Sequence, residues 1–187
     1  MGNGSHLRLQ CSRDNTTITC MKFFTAPEEF LYELGSQIDL AVTLDAKEYK
    51  GQMQLTMIVH DVKPSALDME SAIYSYRIYE KFCRREVLSQ QEAQVILPNR
   101  QDLAEVYRRV AAKDGALVSL LSFASLLQET NVNLGKLLIC ISILNERKLT
   151  NCILQDEKVL LQKIPTNGNK IDIYESPIFG NINSLIR

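Results

Sequence analysis

The first third of the chain alternates between apolar and polar residues, as half-buried β-strands do. Residues 6–11 (HLRLQC) alternate strictly, and a β-branched segment, residues 16–21, follows after a short run of turn residues. These two segments predict a β-hairpin. Residues 38–44 alternate in the same way and predict a third strand that buries its four apolar side chains, Ile38, Leu40, Val42 and Leu44.

A turn at residues 49–52 leads into a fourth predicted strand, residues 53–62, which is long enough to bend. Between the second and third strands, residues 26–34 predict a short helix that has Pro27 in its first turn and ends at Gly35. Short strands around one helix avoid exposed edges most readily as a small, partly open β-barrel. A β-sandwich is the alternative, but the segment is too short for one.

Residues 63–65 (KPS) break the strand pattern and divide the chain into two predicted domains, residues 1–64 and residues 65–187. The second domain has helical periodicity, followed by two short apolar segments that flank Asp156-Glu157 and predict a hairpin. A series of helices followed by a β-hairpin is the order of elements in a winged-helix domain. The helices are predicted at residues 71–85, 99–113, 120–128 and 134–147, and the hairpin strands at 152–154 and 159–161.

The composition is that of a globular protein, with 45% hydrophobic and 23% charged residues among 187. No apolar run approaches the roughly 18 residues of a membrane span, and residues 1–6 lack the features of a signal peptide. We therefore expect a cytoplasmic protein with no membrane partner. The five cysteines are odd in number and widely spaced, which favours small core residues in a reducing compartment over a zinc site.

The net charge of −1 does not indicate nucleic-acid binding, but the charge is unevenly distributed. Residues 77–113 hold eight basic and five acidic residues, a local charge of +3. Any binding of phosphates is therefore expected to be local, modest and sensitive to salt.

Sequence motifs for catalysis are missing. There is no Gly-x-Ser-x-Gly, no glycine-rich phosphate loop and no His-Glu-x-x-His. His60-Asp61 is the one adjacent pair of a histidine and a carboxylate, and one pair cannot form a two-metal site. The expectation is a chain that is not an enzyme by itself and holds no cofactor.

The first predicted domain has cations and aromatic rings near strand ends and at the 47–50 turn, a combination that binds single-stranded nucleic acid because bases stack on rings while cations contact phosphates. The alternative is that Phe23 belongs to the core and the lysines are solvated. The candidate residues are Arg8, Lys22, Phe23, Lys47, Tyr49 and Lys50.

The first helix of the second domain has a basic stripe formed by Arg77, Lys81, Arg84 and Arg85, at helical spacing. Ile73 and Tyr76, with Ile78 and Phe82, are assigned to its apolar side; a solvated helix face is the other interpretation of the stripe. The helix at 133–147 is mainly apolar, whereas a helix that reads DNA exposes several polar and basic side chains. A winged helix here is therefore expected to dock protein rather than to read duplex sequence.

The two halves together resemble the OB-type domain and the C-terminal domain of the RecJ single-strand-specific exonuclease, as found in Firmicutes. The resemblance rests on GSQIDLAVTL at 35–44, EYKG at 48–51, LTMIVHDV at 55–62, YEKF at 79–82 and LPNRQDLAEVYR at 97–108. It implies an α+β chain: a small OB-like β-barrel followed by a helical, winged-helix-like domain.

The resemblance also implies a role in 5′-to-3′ degradation of single-stranded DNA during repair and recombination, with manganese or magnesium. The family holds those metals in catalytic domains outside the matched region, and the chain contains no Asp-His-His motif. The implied partners are single-stranded DNA and either single-strand-binding protein or the missing catalytic domains. The beginning of the chain, so close to its first strand, is expected of a truncated gene, a split protein or an expression fragment.

Our leading hypothesis is a non-catalytic module that binds single-stranded DNA and docks partners, with candidate residues in both domains. The second hypothesis is a protein adaptor with no direct DNA binding, in which the basic stripe receives an acidic peptide. A stand-alone enzyme ranks below both, because the sequence offers no converging set of titratable groups.

Overall fold

The structure, a computed structural model, describes residues 6–165 and 172–186. The chain divides into two compact units, Met1–Ser65 and Ala66–Arg187. The first is a β-sheet unit and the second is mainly helical, so the chain is of mixed α+β class. In the part of the chain that is described, no helix combines the length and the apolar character needed to cross a membrane.

Four strands form the sheet of the first unit: β1 (Leu7–Arg13), β2 (Thr16–Lys22), β3 (Ile38–Tyr49) and β4 (Gln52–Pro64). Their order across the sheet is β1-β2-β4-β3. β1 and β2 form one antiparallel hairpin, and β3 and β4 form another. β2 and β4 run parallel and pair through Cys20 with Met57 and Met21 with Ile58. Both predicted hairpins are confirmed, and this short parallel contact joins them into one sheet.

A β-bulge bends the long β3–β4 hairpin. Ala41 pairs with Asp61 and Val42 with Val59, which leaves His60 as the extra residue of β4. Side chains alternate strictly along a regular strand, so without the bulge Val59 and Val62 would point to opposite faces. The bulge keeps the apolar residues of β4 on one face of the sheet, where they pair across the ladder with the apolar residues of β3.

The prediction that Val42 and Leu44 are buried is wrong, since both are exposed. β2 pairs with β4 only at Met57 and Ile58, so the outer half of the β3–β4 hairpin extends beyond the paired region. Alternation in the sequence identifies which face of a strand is apolar, but it does not tell whether another element covers that face.

The helix predicted at 26–34 is also wrong. The structure has a single 3-10 turn, Pro27–Glu29, in which the Glu29 carboxylate accepts a hydrogen bond of 2.8 Å from the Ala26 backbone N–H. The following residues leave the helical path because Tyr32 packs against the sheet, where its hydroxyl donates a hydrogen bond of 2.9 Å to the Val62 carbonyl. That tertiary contact overrides the local helical preference.

The second unit combines helices with a small antiparallel sheet in the order β5-β7-β6. Its helices are α1 (Met69–Cys83), α2 (Gln90–Ile96), α3 (Arg100–Ala112), α4 (Leu120–Ser125), α5 (Leu134–Glu146) and α6 (Pro177–Ser184), and its strands are β5 (Leu117–Ser119), β6 (Ile153–Gln155) and β7 (Lys158–Leu160). The predicted C-terminal hairpin is confirmed as β6–β7.

Three elements of this unit, α2, β5 and α6, were not predicted from the sequence. α2 and β5 are seven and three residues long, too short for a periodic pattern to reveal. A capping box did mark the start of α2: Ser89 accepts from the Glu92 backbone N–H, and the Glu92 carboxylate accepts from that of Ser89.

Helix α5 forms the centre of the second unit. Nine of its thirteen residues are buried, so the prediction that this helix is built for packing is confirmed. Helix α1 lies against it by its Ala72, Ser75 and Ile78 face. The assignment of Ile73 and Tyr76 to the apolar side of α1 is wrong, because both are exposed. The small residues of α1 face the core instead, where they let the two helices approach closely.

Gly135 is where α1 and α5 come closest. A Cβ atom added there would lie 2.2 Å from the backbone oxygen of Ser75, and the Gly135 N–H donates to the Ser75 hydroxyl at 3.2 Å. Since real Cβ atoms do not approach backbone that closely, only glycine fits this site without moving a helix.

Replacing Gly135 with alanine should lower the free energy of unfolding by about 2 kcal/mol, because the helices must separate. Urea denaturation followed by circular dichroism measures the change. Gly180→Ala in α6 is the matched control, since a Cβ there meets nothing within 4 Å. Equal midpoints for the two variants would contradict the tight helix contact.

Candidate nucleic-acid interface

An exposed aromatic cluster lies at the end of β2. Phe23 and Phe24 follow the last residue of the strand, and His6 immediately precedes β1. The His6 ring stands edge-on to both, with centroids 5.1 Å from Phe23 and 5.7 Å from Phe24. Phe24 is 84% exposed, an unusual position for a phenylalanine.

The backbone holds Phe24 in a conformation that disfavours bulky residues. Its φ is +56°, and its N–H donates to the His6 Nδ1 atom at 3.3 Å. A bulky side chain at positive φ costs stability, and such strain concentrates at functional sites. The strained backbone thus holds one ring in solvent, beside two others.

The structure places Arg8 near this cluster but separates it from Lys22. Arg8 is two residues beyond His6, and an extended chain puts alternate side chains on one face. Lys22 is opposite Leu7 in the ladder and therefore faces the other side of the sheet. Its ammonium group donates to the His60 carbonyl at 3.2 Å. The exposed Arg8 is thus the cation that shares a face with the rings.

The three candidates at the β3–β4 turn lie elsewhere. Lys50 and Gly51 have φ values of +54° and +75°, typical of a two-residue hairpin turn. Because β2 runs parallel to β4, Phe23 and Phe24 extend towards His60, away from this turn. Eight or nine residues of strand separate the two places, roughly 25–30 Å along the ladder.

Within the turn region, Lys47 is engaged locally. Its ammonium group lies 2.9 Å from the Asp45 carboxylate, and the hydrogen bond that it donates there raises the pKa of Lys47. This exposed pair offsets part of the Lys47 charge but is weak. The backbone of Tyr49 pairs with Gln52, and the Tyr49 side chain lies outside what the structure describes.

Two of the four cations in the basic stripe of α1, Lys81 and Arg84, are paired with carboxylates. Lys81 pairs with Glu92 at 2.5 Å, and this hydrogen bond lowers the pKa of the Glu92 carboxyl. Arg84 lies 3.4 Å from Glu80 and 3.9 Å from Glu86. Arg77 is exposed and has no acidic partner within the described residues. It lies beside the exposed rings of Tyr74 and Tyr76, a composition common at protein–protein contacts.

His60 and Asp61 do not act as a pair. The His60 Nε2 atom lies 2.7 Å from the Thr43 hydroxyl, and the Asp61 carboxylate accepts from the Val62 backbone N–H at 2.8 Å. Within residues 6–165 and 172–186, no three histidine, cysteine, aspartate or glutamate side chains are grouped as metal ligands.

Most of the cysteines are poor nucleophiles. Burial raises the pKa of Cys20, Cys140 and Cys152, which keeps these three thiols protonated at neutral pH. All three are core residues, as the sequence predicted for most of the five. Cys11 is half-buried and Cys83 is exposed.

Thiol labelling checks this arrangement. In native protein at pH 8, N-ethylmaleimide should modify Cys83 first and leave Cys20, Cys140 and Cys152 unmodified until denaturant is added, because reaction needs both access and the thiolate. Mass spectrometry of peptides gives the order of modification. Rapid native labelling of Cys140 would show that the α5 core opens readily.

The first unit is a small β domain with two antiparallel hairpins joined by a parallel strand pair, an arrangement consistent with an OB-like domain. The family model described as "RecJ OB domain" matches residues 1–61, which supports a RecJ-type OB domain in this unit. Comparison with curated proteins and with solved structures gives no match.

Sequence reasoning identified Arg8 and Phe23 but missed Phe24 and His6. The dipeptide Phe23-Phe24 just after a strand was the available signal, because two aromatic residues in a turn cannot both be buried easily. The contribution of His6 depends on the β1–β2 pairing, which brings residues 17 and 18 positions apart in the chain into contact.

Proposed function

We propose that the chain is a non-catalytic, single-stranded-DNA-binding part of a RecJ-like protein, and that the first unit binds the strand. The observation that carries the proposal is the exposed cluster of His6, Phe23 and Phe24 in a domain that matches the RecJ OB family. OB-type domains bind oligonucleotides, and aromatic rings on them stack with bases whatever the sequence.

Arg8 supplies the charge in this proposal. It shares a face with His6, so a base stacked on Phe24 leaves its phosphate within reach of a guanidinium group. The wider sheet adds little, since Lys22 and Lys47 already have partners. We therefore expect weak binding that covers few nucleotides and is carried mainly by stacking.

In the second unit we propose a winged-helix domain that docks protein. The supporting observation is the order α3-β5-α4-α5-β6-β7 with the sheet arranged β5-β7-β6, which matches a three-helix core with a wing. Helix α5, which would read DNA in such a fold, is mostly buried. The wing turn carries Asp156 and Glu157, which repel phosphates.

The wider biological role is proposed from the family. A RecJ-type 5′-to-3′ exonuclease acting in cytoplasmic DNA repair and recombination would supply the metal-dependent chemistry from other domains. This chain would hold the strand, and the exposed Tyr74, Tyr76 and Arg77 of α1 would contact a protein such as single-strand-binding protein or the catalytic part. The alternative is an adaptor without DNA binding, favoured by the pairing of Lys81 and Arg84 with carboxylates on α1 and α2.

The experiment is fluorescence-anisotropy titration of a labelled oligonucleotide, with and without substitution of Phe24. Phe24→Ala should raise the Kd by roughly 5- to 150-fold, since one base–ring stack contributes about 1–3 kcal/mol. Phe24→Leu keeps apolar volume but removes the ring and should weaken binding nearly as much. Lys47→Ala, at the distant turn, is the control and should change the Kd by less than about twofold. Equal Kd values for wild type and Phe24→Ala would refute the stacking site.

Strand selectivity separates the two candidate functions. Single-stranded DNA should bind about tenfold or more tightly than a duplex of the same length, because bases in a duplex are not free to stack on Phe24. The comparison uses the same titration across a salt series, with a log–log slope of magnitude about 0.7–1.4 expected for one or two phosphate contacts on a single strand. No binding to either DNA at low salt would favour the adaptor.

A further inference from the structure

Strand β3 is a long, bare edge. It pairs with β4 on one side, and within residues 6–165 and 172–186 no strand pairs with its other side. It spans twelve residues and contains no proline. The bulge residue, His60, belongs to β4, so the free side of β3 keeps a regular spacing of backbone donors and acceptors. Such an edge is a template for another strand.

The sheet surface beside this edge is apolar and exposed. Leu44 is 58% exposed, and on the same face of β4 Leu55 and Met53, which pair with Ala46 and Glu48, are 62% and 70% exposed. OB barrels have five strands, whereas the sheet formed by the described residues has four. The edge and the apolar surface are thus uncovered together. One additional strand would satisfy the backbone groups of the edge and reduce the exposed apolar area beside it.

We propose that β3 pairs antiparallel with β3 of a second copy of this chain, with Thr43 on the two-fold axis. In that register residue n of one copy lies opposite residue 86 − n of the other. Thr43 meets its own copy, Val42 meets Leu44, and Leu40 meets Ala46. Apolar pairs of this kind and a threonine pair are among the stabilising cross-strand contacts.

Charge is complementary in the same register. Asp39 lies opposite Lys47 of the second copy, and symmetry gives this pair twice. Both side chains are exposed and have local partners: Lys63 and the Ser65 hydroxyl for Asp39, and Asp45 for Lys47. Four charges of alternating sign would therefore line each end of the new ladder.

Neighbouring registers are worse. With Asp45 on the axis, two carboxylates would lie directly opposite each other, which is destabilising. With Leu44 on the axis, Lys47 would lie opposite Ala41 and the charge pairs would be lost. A shift by one residue would set the apolar face of one sheet beside the polar face of the other. Sequence complementarity thus selects Thr43. This inference is independent of the proposed DNA binding.

Cysteine cross-linking of the full chain tests the register. In a Cys11→Ser, Cys83→Ser background, Thr43→Cys should form a disulfide-linked dimer under mild oxidation, because the axis brings the two residues within the Cα spacing a disulfide needs. Lys47→Cys is the matched control on the same face of β3; it should stay monomeric, since its own copy would be roughly 26 Å away. Mixing Lys47→Cys with Asp39→Cys should restore the covalent dimer.

Sedimentation equilibrium of the unmodified chain gives a second measurement. Wild type should show a monomer–dimer equilibrium, and Lys47→Glu should raise the dissociation constant roughly tenfold by setting like charges opposite Asp39. Wild type that is monomeric up to its solubility limit would overturn the proposal and assign the edge to a different polypeptide. Equal cross-linking of Thr43→Cys and Lys47→Cys would also overturn it, since random collision would then explain both.

Discussion

Burial of apolar surface is the constraint on which both units depend, and they satisfy it very differently. The second unit surrounds α5 with a continuous core that reaches from Ala72 to Ile182. In the described part of the first unit, Cys20, Val59 and Pro64 are the buried apolar residues. Because hydrophobic burial supplies most of the folding free energy, the helical unit is expected to be the more stable of the two. The sheet unit, with its bare edge and exposed rings, is accordingly the part built to gain contacts from other molecules.

Sequence patterns predicted the elements whose stability is local or strongly periodic. Both hairpins of the first unit and the buried helix α5 follow from alternation and helical spacing, which persist over many residues. Which side of an element is covered depends instead on tertiary contacts. Leu44 and Ile73 belong to apolar faces, yet both are exposed to solvent among the residues that the structure describes.

The candidate site shows the same division between local and tertiary information. The presence of cations was evident from the sequence, but their availability was not. Lys81 is neutralised by Glu92, eleven residues away, and Lys22 bonds a carbonyl on another strand. The local excess of positive charge therefore overstates what remains for phosphates. Conversely, the contact between His6 and Phe24 arises from strand pairing, so no spacing rule in the sequence could reveal it.

Phe24 lowers the stability of the fold through its backbone conformation, while its ring serves the proposed binding. Its φ of +56° is one that glycine adopts without penalty, so glycine there would relieve about 1 kcal/mol of backbone strain. The same change would delete the most exposed ring of the cluster. Directed evolution for thermal tolerance alone would consequently drift towards glycine at this position, whereas selection for ligand capture would retain the aromatic side chain.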